Sequence, residues 1–481
     1  MSFIRESIGD TSKYLIFRII SILTGIITIP IIARIFRAEE FGVYSIIITS
    51  VSIYTFVSSE WIKSSFLRFY HEYEYKQELT TLVSTSVAIL FIVNSVAVAL
   101  ALLINSFLHK LNEIDFIFLI FLVFFSTLES IGISYFRIRQ QIIKLNILQL
   151  LSKITFFLIF LPLVYFSIFH NHIRAIILSG LIASFIAIFC TFRSLYLNNY
   201  ISVKKIKYNL CSIFSKYGIP IAFIALISII FSSSDRYIIL TLVGKQATGI
   251  YCFAYNLANK SFIIIPQTIS LAMWPIILKY SEKNFEYVLR KIFILQKVYF
   301  VIILPLTILI DIFSKEIFHL ISVGEYLEGA LFFKYIIYGL FIGSLVWYFN
   351  ILFMLNKKTK IMMWSYLAAA MVNVGLNFLL IPKYGYQIAA VTTLISYLIY
   401  FAIMSFIAVR ERHEFLINIK FMLGLMALMF VLIQVNSKVA NILLLQVNGT
   451  LFKVISLIPI IVLYSIFIKF FFVKNKKELL E

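Results

Sequence analysis

Ser215-Lys216-Tyr217-Gly218-Ile219-Pro220 opens an apolar run that closes at Ser232-Ser233-Ser234-Asp235-Arg236-Tyr237. The chain then turns through Gly244-Lys245-Gln246-Ala247-Thr248-Gly249-Ile250-Tyr251. A second apolar run follows, carrying Lys260, before Pro266 and Pro275. The pattern is that of a membrane helix hairpin with charge at its outer turn and in its return limb. It occurs twice. Near the start, Ser12-Lys13-Tyr14 opens an apolar run ending at Ala33-Arg34, and Phe41-Gly42-Val43-Tyr44 opens the return. The lysine-to-glycine spacing is about 29 residues in the first copy and about 33 in the second, so the chain reads as an internal repeat starting near Lys13 and Lys216.

Composition agrees. The chain has 481 residues, 62% hydrophobic and 13% charged, whereas soluble domains carry about 25% charged residues. Many apolar runs exceed the roughly 18 residues that mark a spanning helix. In lipid only helices and closed barrels satisfy their backbone, and barrel strands are alternating runs of about 10 residues. The expected fold class is therefore an all-α polytopic membrane protein. Spans are expected near 13–35, 41–62, 79–105, 114–136, 144–168, 174–196, 213–239, 249–276, 290–313, 331–355, 360–381, 385–408, 417–435 and 451–473. That is about fourteen helices. Two six-helix lobes, 1–200 and 201–412, form a parallel repeat, and 413–481 adds two helices and a tail. The first run is too long for a signal peptide and is read as a retained helix.

More than twice as many lysines and arginines fall in the loops on the side of the termini as on the other side. The positive-inside rule then places both termini in the cytoplasm of a cell-membrane protein. The formal charge of +20 is spread over short loops, which speaks for topology and against a nucleic-acid partner. No phosphate-binding loop, metalloprotease motif or nucleophile elbow is present. Cys190, Cys211 and Cys252 have no metal or disulfide spacing, and His170-Asn171-His172 reads as a solvated outer turn. No cofactor, no metal and no catalytic residue is expected.

Ionisable residues inside apolar runs are functional candidates by default. Lys260 lies 11 residues past Gly249, about 16 Å along its helix and near the midplane. Arg18 either reaches back to the headgroups or faces a cavity. Glu60 and Lys63 share a helix face, which suits a local ion pair. Glu129 and Lys153 lie at matching depth on neighbouring helices, either as a structural pair or as cargo contacts. Asp235 and Arg236 are either solvated or form a gate with Arg34, and Asp311 is expected to be solvated. The binding candidates are thus Lys260, Arg18, Lys63, Arg236 and Arg34. The gating or ion-coupling candidates are Asp235, Glu60, Glu129 and Lys153. Pro30, Pro162, Pro220, Pro266, Pro305 and Pro459 fall inside expected helices.

Asp235-Arg236, then Gly244, then Gly249-Ile250-Tyr251, resembles the second-half signature of polysaccharide flippases. Pro30-Ile31-Ile32-Ala33-Arg34 followed by Glu39-Glu40-Phe41-Gly42-Val43-Tyr44 resembles the first-half signature, with Phe36-Arg37-Ala38 where that family usually has Leu-Gly-Pro. The resemblance is to the oligosaccharide-lipid flippase branch of the multidrug/oligosaccharidyl-lipid/polysaccharide exporter superfamily, the branch of O-antigen exporters. It implies two six-helix bundles in a V around a cationic cavity. It implies an undecaprenyl-diphosphate-linked oligosaccharide as cargo, and membrane lipid, a glycan polymerase and other polysaccharide-assembly proteins as partners. Two rivals remain. A multidrug or cation exporter would want an acidic cavity, and a membrane-embedded glycan polymerase would want a large catalytic outer loop.

Overall fold

A computed structural model of the chain describes residues 24, 27–411, 464 and 469, apart from 109–112, 140, 167, 170–171, 198–199, 263–284 and 357. Among the described residues every regular element is helical. Among the described residues nine helices are long and apolar enough to cross a membrane, or ten if one bent pair is a single span. Exposed phenylalanines and isoleucines such as Phe91, Ile92, Phe121, Phe185 and Phe189 stud their outer surfaces. Such a surface suits lipid better than water.

The chain divides into two compact units, Met1–Cys252 and Phe253–Glu481. In the first, a helix at 27–35 (α1) leads into α2 (Ala38–Tyr75), α3 (Leu79–Leu108), α4 (Glu113–Ile138), α5 (Ile142–Tyr165), α6 (His172–Leu197) and α7 (Asn209–Leu242). The eighth helix, α8 (Lys245–Phe262), begins in this unit and ends in the other. The second unit continues with α9 (Phe285–Ile312), the short α10 (Ser314–Ile321), α11 (Ala330–Leu355), α12 (Thr359–Tyr384) and α13 (Ile388–Arg410). The expected helices 417–435 and 451–473 lie outside the described residues, save that Tyr464 and Lys469 are helical. Tyr464 donates its hydroxyl to the Val301 carbonyl.

Three departures from the sequence expectation matter. First, α2 runs to Tyr75, 13 residues beyond the expected end at Ile62. Its added turns carry ion pairs one turn apart, His71 with Glu74 and Lys76 with Glu72, which suit a solvated helix. Glu39 and Glu40 occupy its first turn, where acidic groups meet the positive helix end, and the Glu40 carboxylate accepts the Arg37 N–H at 3.2 Å. Second, the connection between α9 and α11 folds into α10, whose Phe318 is buried against Phe253 and Phe333. Third, Asp311 is half-buried and accepts the Tyr338 hydroxyl at 3.0 Å, so it is not a plain solvated carboxylate. Of the prolines, Pro162, Pro220 and Pro305 lie inside helices as expected and Pro382 joins them. Pro266 and Pro459 lie outside the described residues.

In unit 1, α7 lies antiparallel along α2. Near the start of α7 the Ser65 hydroxyl donates to the Phe214 carbonyl at 2.9 Å, and Phe69 stacks on Phe214. Gly218 sits against the Trp61 backbone, where an added Cβ would meet the Trp61 oxygen at 2.0 Å. Near the end of α7 Ser50 and Tyr237 share a hydrogen bond of 2.7 Å. In unit 2, α11 is buried along most of its length, between α13 and α9.

Candidate functional site

The start of α2, the end of α7 and the start of α8 meet at one crossing, and the repeat explains why. Gly42 and Gly249 occupy equivalent places in the two sequence copies, and their backbones touch. A Cβ on Gly249 would lie 1.7 Å from the Ala38 oxygen, and one on Gly42 would lie 2.1 Å from the Lys245 oxygen. Only glycine permits helix axes this close, the same device that small residues provide between membrane helices. Gly244 makes the turn into α8 with φ +125°, a region that side chains rarely enter. Glu39 and Lys245 add an exposed ion pair of 3.5 Å across the crossing.

Asp235 and Arg236 pin the third helix. Asp235 is 2% exposed, so the solvated alternative does not hold for it. Its carboxylate accepts the Tyr251 hydroxyl from α8 and the Arg236 N–H at 2.9 Å. The Arg236 guanidinium donates to Thr49 Oγ1 on α2 at 2.7 Å, and its charge helps offset that of Asp235. A buried carboxylate is costly unless it is hydrogen-bonded and charge-compensated. The Asp235-Arg236 and Gly249-Ile250-Tyr251 stretches thus form one knot holding α7 and α8 to α2. Arg34 is exposed at the end of α1.

A family model described as Polysaccharide biosynthesis protein matches residues 9–281, more than half the chain and both copies of this crossing motif. The chain belongs to the polysaccharide biosynthesis protein family. No curated protein matches it. Solved structures share the fold at low identity. The lipid II flippase MurJ in an inward closed conformation has a TM-score of 0.70 at 16% identity, covering 96% of this chain and 99% of that one. An inward-facing multidrug resistance MATE family transporter of the MOP superfamily has a TM-score of 0.64 at 11% identity, covering 84% and 98%. A Vibrio cholerae MATE transporter, VcmN, reaches 0.55 at 12% identity, covering 85% and 100%.

The remaining candidates of this polysaccharide biosynthesis family protein are dispersed. In unit 1, Lys63 and Glu60 are half-buried and form an ion pair of 2.5 Å, with the Ser64 hydroxyl at 3.4 Å from the same carboxylate. Lys153 on α5 donates to Thr24 Oγ1 at 3.1 Å, and Glu129 on α4 is hydrogen-bonded to Ser184 on α6. These contacts tie α5 to Thr24 and α4 to α6. In unit 2, Lys260 is exposed on the last described turn of α8, a helix with no acidic residue between Lys245 and Phe262. Arg18 lies outside the described residues. Among the described residues no three His, Cys, Asp or Glu side chains gather as a metal site.

One intramembrane cation escaped the sequence reading. Lys297 falls inside the expected span 290–313 without being one of the site candidates, yet it lies nine residues past Val288 in the span Val288–Ile312, about 13 Å in. Its ammonium sits 4.0 Å from the Phe293 ring centroid, within the range of a cation–π contact. The signal was available: Lys291 and Lys297 are six apart in an apolar run, so both cannot lie in one short loop if the helix begins near Phe285.

Proposed function

We propose that this protein flips an undecaprenyl-diphosphate-linked oligosaccharide, a polysaccharide repeat unit, across the cytoplasmic membrane by alternating access through a cationic cavity. The residue that carries the reading is Lys260, whose sequence spacing from Gly249 puts it at about mid-membrane depth, on a helix that holds no acidic residue. Even on the lenient insertion scale a lysine at mid-helix costs about 2.5–3.5 kcal/mol, so its retention wants a use. A diphosphate supplies one, since it carries about two negative charges and favours clustered cationic donors. Lys297 joins it as a second cation of unit 2, with Arg18, Lys63, Arg236 and Arg34 as further contacts in unit 1. Outward movement of two negative charges gains about 4.6 kcal/mol from an interior-negative potential of 100 mV. Such a cycle requires no nucleotide, and an ion gradient is the other available drive. Asp235, Glu60, Glu129 and Lys153 are assigned to gating and helix pinning.

The reading is tested by glycan export in a complementation assay, with membrane abundance measured beside it. Lys260→Arg should keep part of the export, Lys260→Gln should lose it at normal abundance, and Lys260→Glu should be worse because it repels phosphate. Wild-type export by Lys260→Gln would remove this residue from the site. The MATE likeness in fold favours a second reading, export of an organic cation, which predicts the reverse order for the same three variants.

A further inference from the structure

Between Glu129 and Asp235 the chain contains no acidic residue. Arg193, Lys204, Lys205, Lys207 and Lys216 gather there, around the connection from α6 to α7. That connection is not a free loop. The Ser202 N–H donates to Ser84 Oγ at 2.8 Å, Ser84 Oγ donates to the Tyr200 carbonyl at 3.3 Å, and the Lys207 N–H donates to Thr85 Oγ1 at 3.1 Å. The Lys207 ammonium lies 3.2 Å from the Glu78 carboxylate. All three partner residues, Glu78, Ser84 and Thr85, sit at or just before the first turns of α3, so residues 200–208 form a strap fixed across the start of that helix.

The other side of the strap faces outward. A single 3-10 turn, Val203–Lys205, presents Val203 at 81% exposure and both Lys204 and Lys205 exposed. Tyr208 follows at 75% exposure, and Tyr196 at the end of α6 is 72% exposed. Topological sorting requires only that such charges be present; it does not require a pinned backbone or an exposed valine beside them. An apolar tip, flanking tyrosines and two lysines, held where α6 ends and α7 begins, match the layers of a membrane interface. The valine meets the acyl boundary, the tyrosines the headgroup level, and the ammonium groups the phosphates. Lys207 is engaged by Glu78, which leaves Lys204 and Lys205 as the headgroup contacts.

We propose that the strap 200–208 is a built docking site for anionic phospholipid, with Lys204 and Lys205 binding the headgroup phosphate and Val203 inserting beside it. Its placement in the inner leaflet rests on the orientation proposed above, while the lipid contact itself does not. Its occupant is bulk anionic lipid rather than the cargo, because Val203, Lys204 and Lys205 are exposed on the surface of the strap.

The test is native mass spectrometry of the full chain in detergent, titrated with dioleoyl phosphatidylglycerol or dioleoyl phosphatidylcholine. Wild type should retain phosphatidylglycerol in preference. Two cations at about 1 kcal/mol each make the first phosphatidylglycerol bind roughly thirtyfold more weakly in K204Q/K205Q, with phosphatidylcholine unchanged. K204R/K205R should bind as wild type, and K358Q/K360Q, changed at another helix connection, should leave the preference intact. Melting temperatures of all four proteins show whether each is folded. Wild-type phosphatidylglycerol retention by folded K204Q/K205Q overturns the proposal. So does an equal loss in K358Q/K360Q.

Discussion

Gly249 has no side chain because the Ala38 carbonyl occupies the place where one would start. A Cβ at 1.7 Å from backbone oxygen cannot be relieved by a rotamer change, so even alanine must push α8 and α2 apart. Overpacking of a well-fitted contact typically costs about 1–3 kcal/mol. Gly375 on α12 is a control of the same residue type within a helix but at an exposed position, since nothing lies within 4 Å of its Cβ position. Gly249→Ala should therefore lower the melting temperature of the purified protein and its membrane abundance, and Gly375→Ala should leave both unchanged or slightly raised. Equal tolerance of the two changes would mean that the crossing is not packed as described. The glycine positions were legible in the sequence as a repeat. Their contact was not, because a period tells which residues are equivalent and not that equivalent residues touch. Asp235 shows the same limit. Its depth along α7 could be read from the sequence, but its burial depends on Tyr251, 16 residues on, swinging back through the Gly244 turn.

Helices were legible where hydrophobic length alone decides them. The expected runs 79–105, 114–136 and 331–355 differ from the helices found by only a few residues at each end. The errors have physical causes. The tail of α2 reads as loop because its residues are charged, although the pairs one turn apart that support it, Glu72 with Lys76 and His71 with Glu74, were there to see. The eight residues of α10 fall below any spanning length. Polar contacts between helices left no linear pattern at all. In unit 2, Asn377 Nδ2 donates to Asn373 Oδ1 at 3.2 Å, Thr392 Oγ1 donates to Asn377 Oδ1, and Asn373 Nδ2 lies 3.4 Å from Thr393 Oγ1. All four side chains are buried. Asn377 with Thr392 and Asn373 with Thr393 join α12 to α13, and the Asn377–Asn373 bond links the two within α12. Interhelical side-chain hydrogen bonds within membranes are worth about 0.6 kcal/mol each on average. Asn377→Leu removes one bond across the interface and one along α12, so it should destabilise the purified protein by about 1 kcal/mol, read as a lower thermal midpoint. The Thr392 hydroxyl has one proton to share between Asn377 Oδ1 and the Ala389 carbonyl of its own helix, so Thr392→Val removes the equivalent of one bond, leaves Asn377 bonded to Asn373 and should cost less. A larger loss in Thr392→Val than in Asn377→Leu would reverse this order and reject the network as drawn.

At the scale of the whole chain, orientation depends on whether α7 crosses the membrane. Its two limbs, Asn209–Phe223 and Leu226–Leu242, meet at 41°, and a re-entrant loop would return to its own side. Geometry favours crossing. The first limb advances about 22 Å and the second about 25 Å along its axis. Tilted by 41°, the second still gains about 19 Å in the direction of the first, so together they exceed the roughly 30 Å of hydrocarbon. Reversal would need a bend far beyond a right angle. Residues 204 and 246 must then lie on opposite sides, and the proposed orientation takes the side of 204, with its excess of basic residues, as cytoplasmic. Single cysteines placed at these two positions, in a chain lacking Cys190, Cys211 and Cys252, give the measurement. A membrane-impermeant maleimide should label position 246 in intact cells and position 204 only after permeabilisation. Reporter fusions after Lys207 and after Lys476 should both report cytoplasm, because an even number of crossings separates them. Labelling of both cysteines in intact cells would make α7 re-entrant. It would also remove the antiparallel pairing of α2 and α7 from the bilayer and, with it, the argument that Lys260 lies at mid-membrane depth.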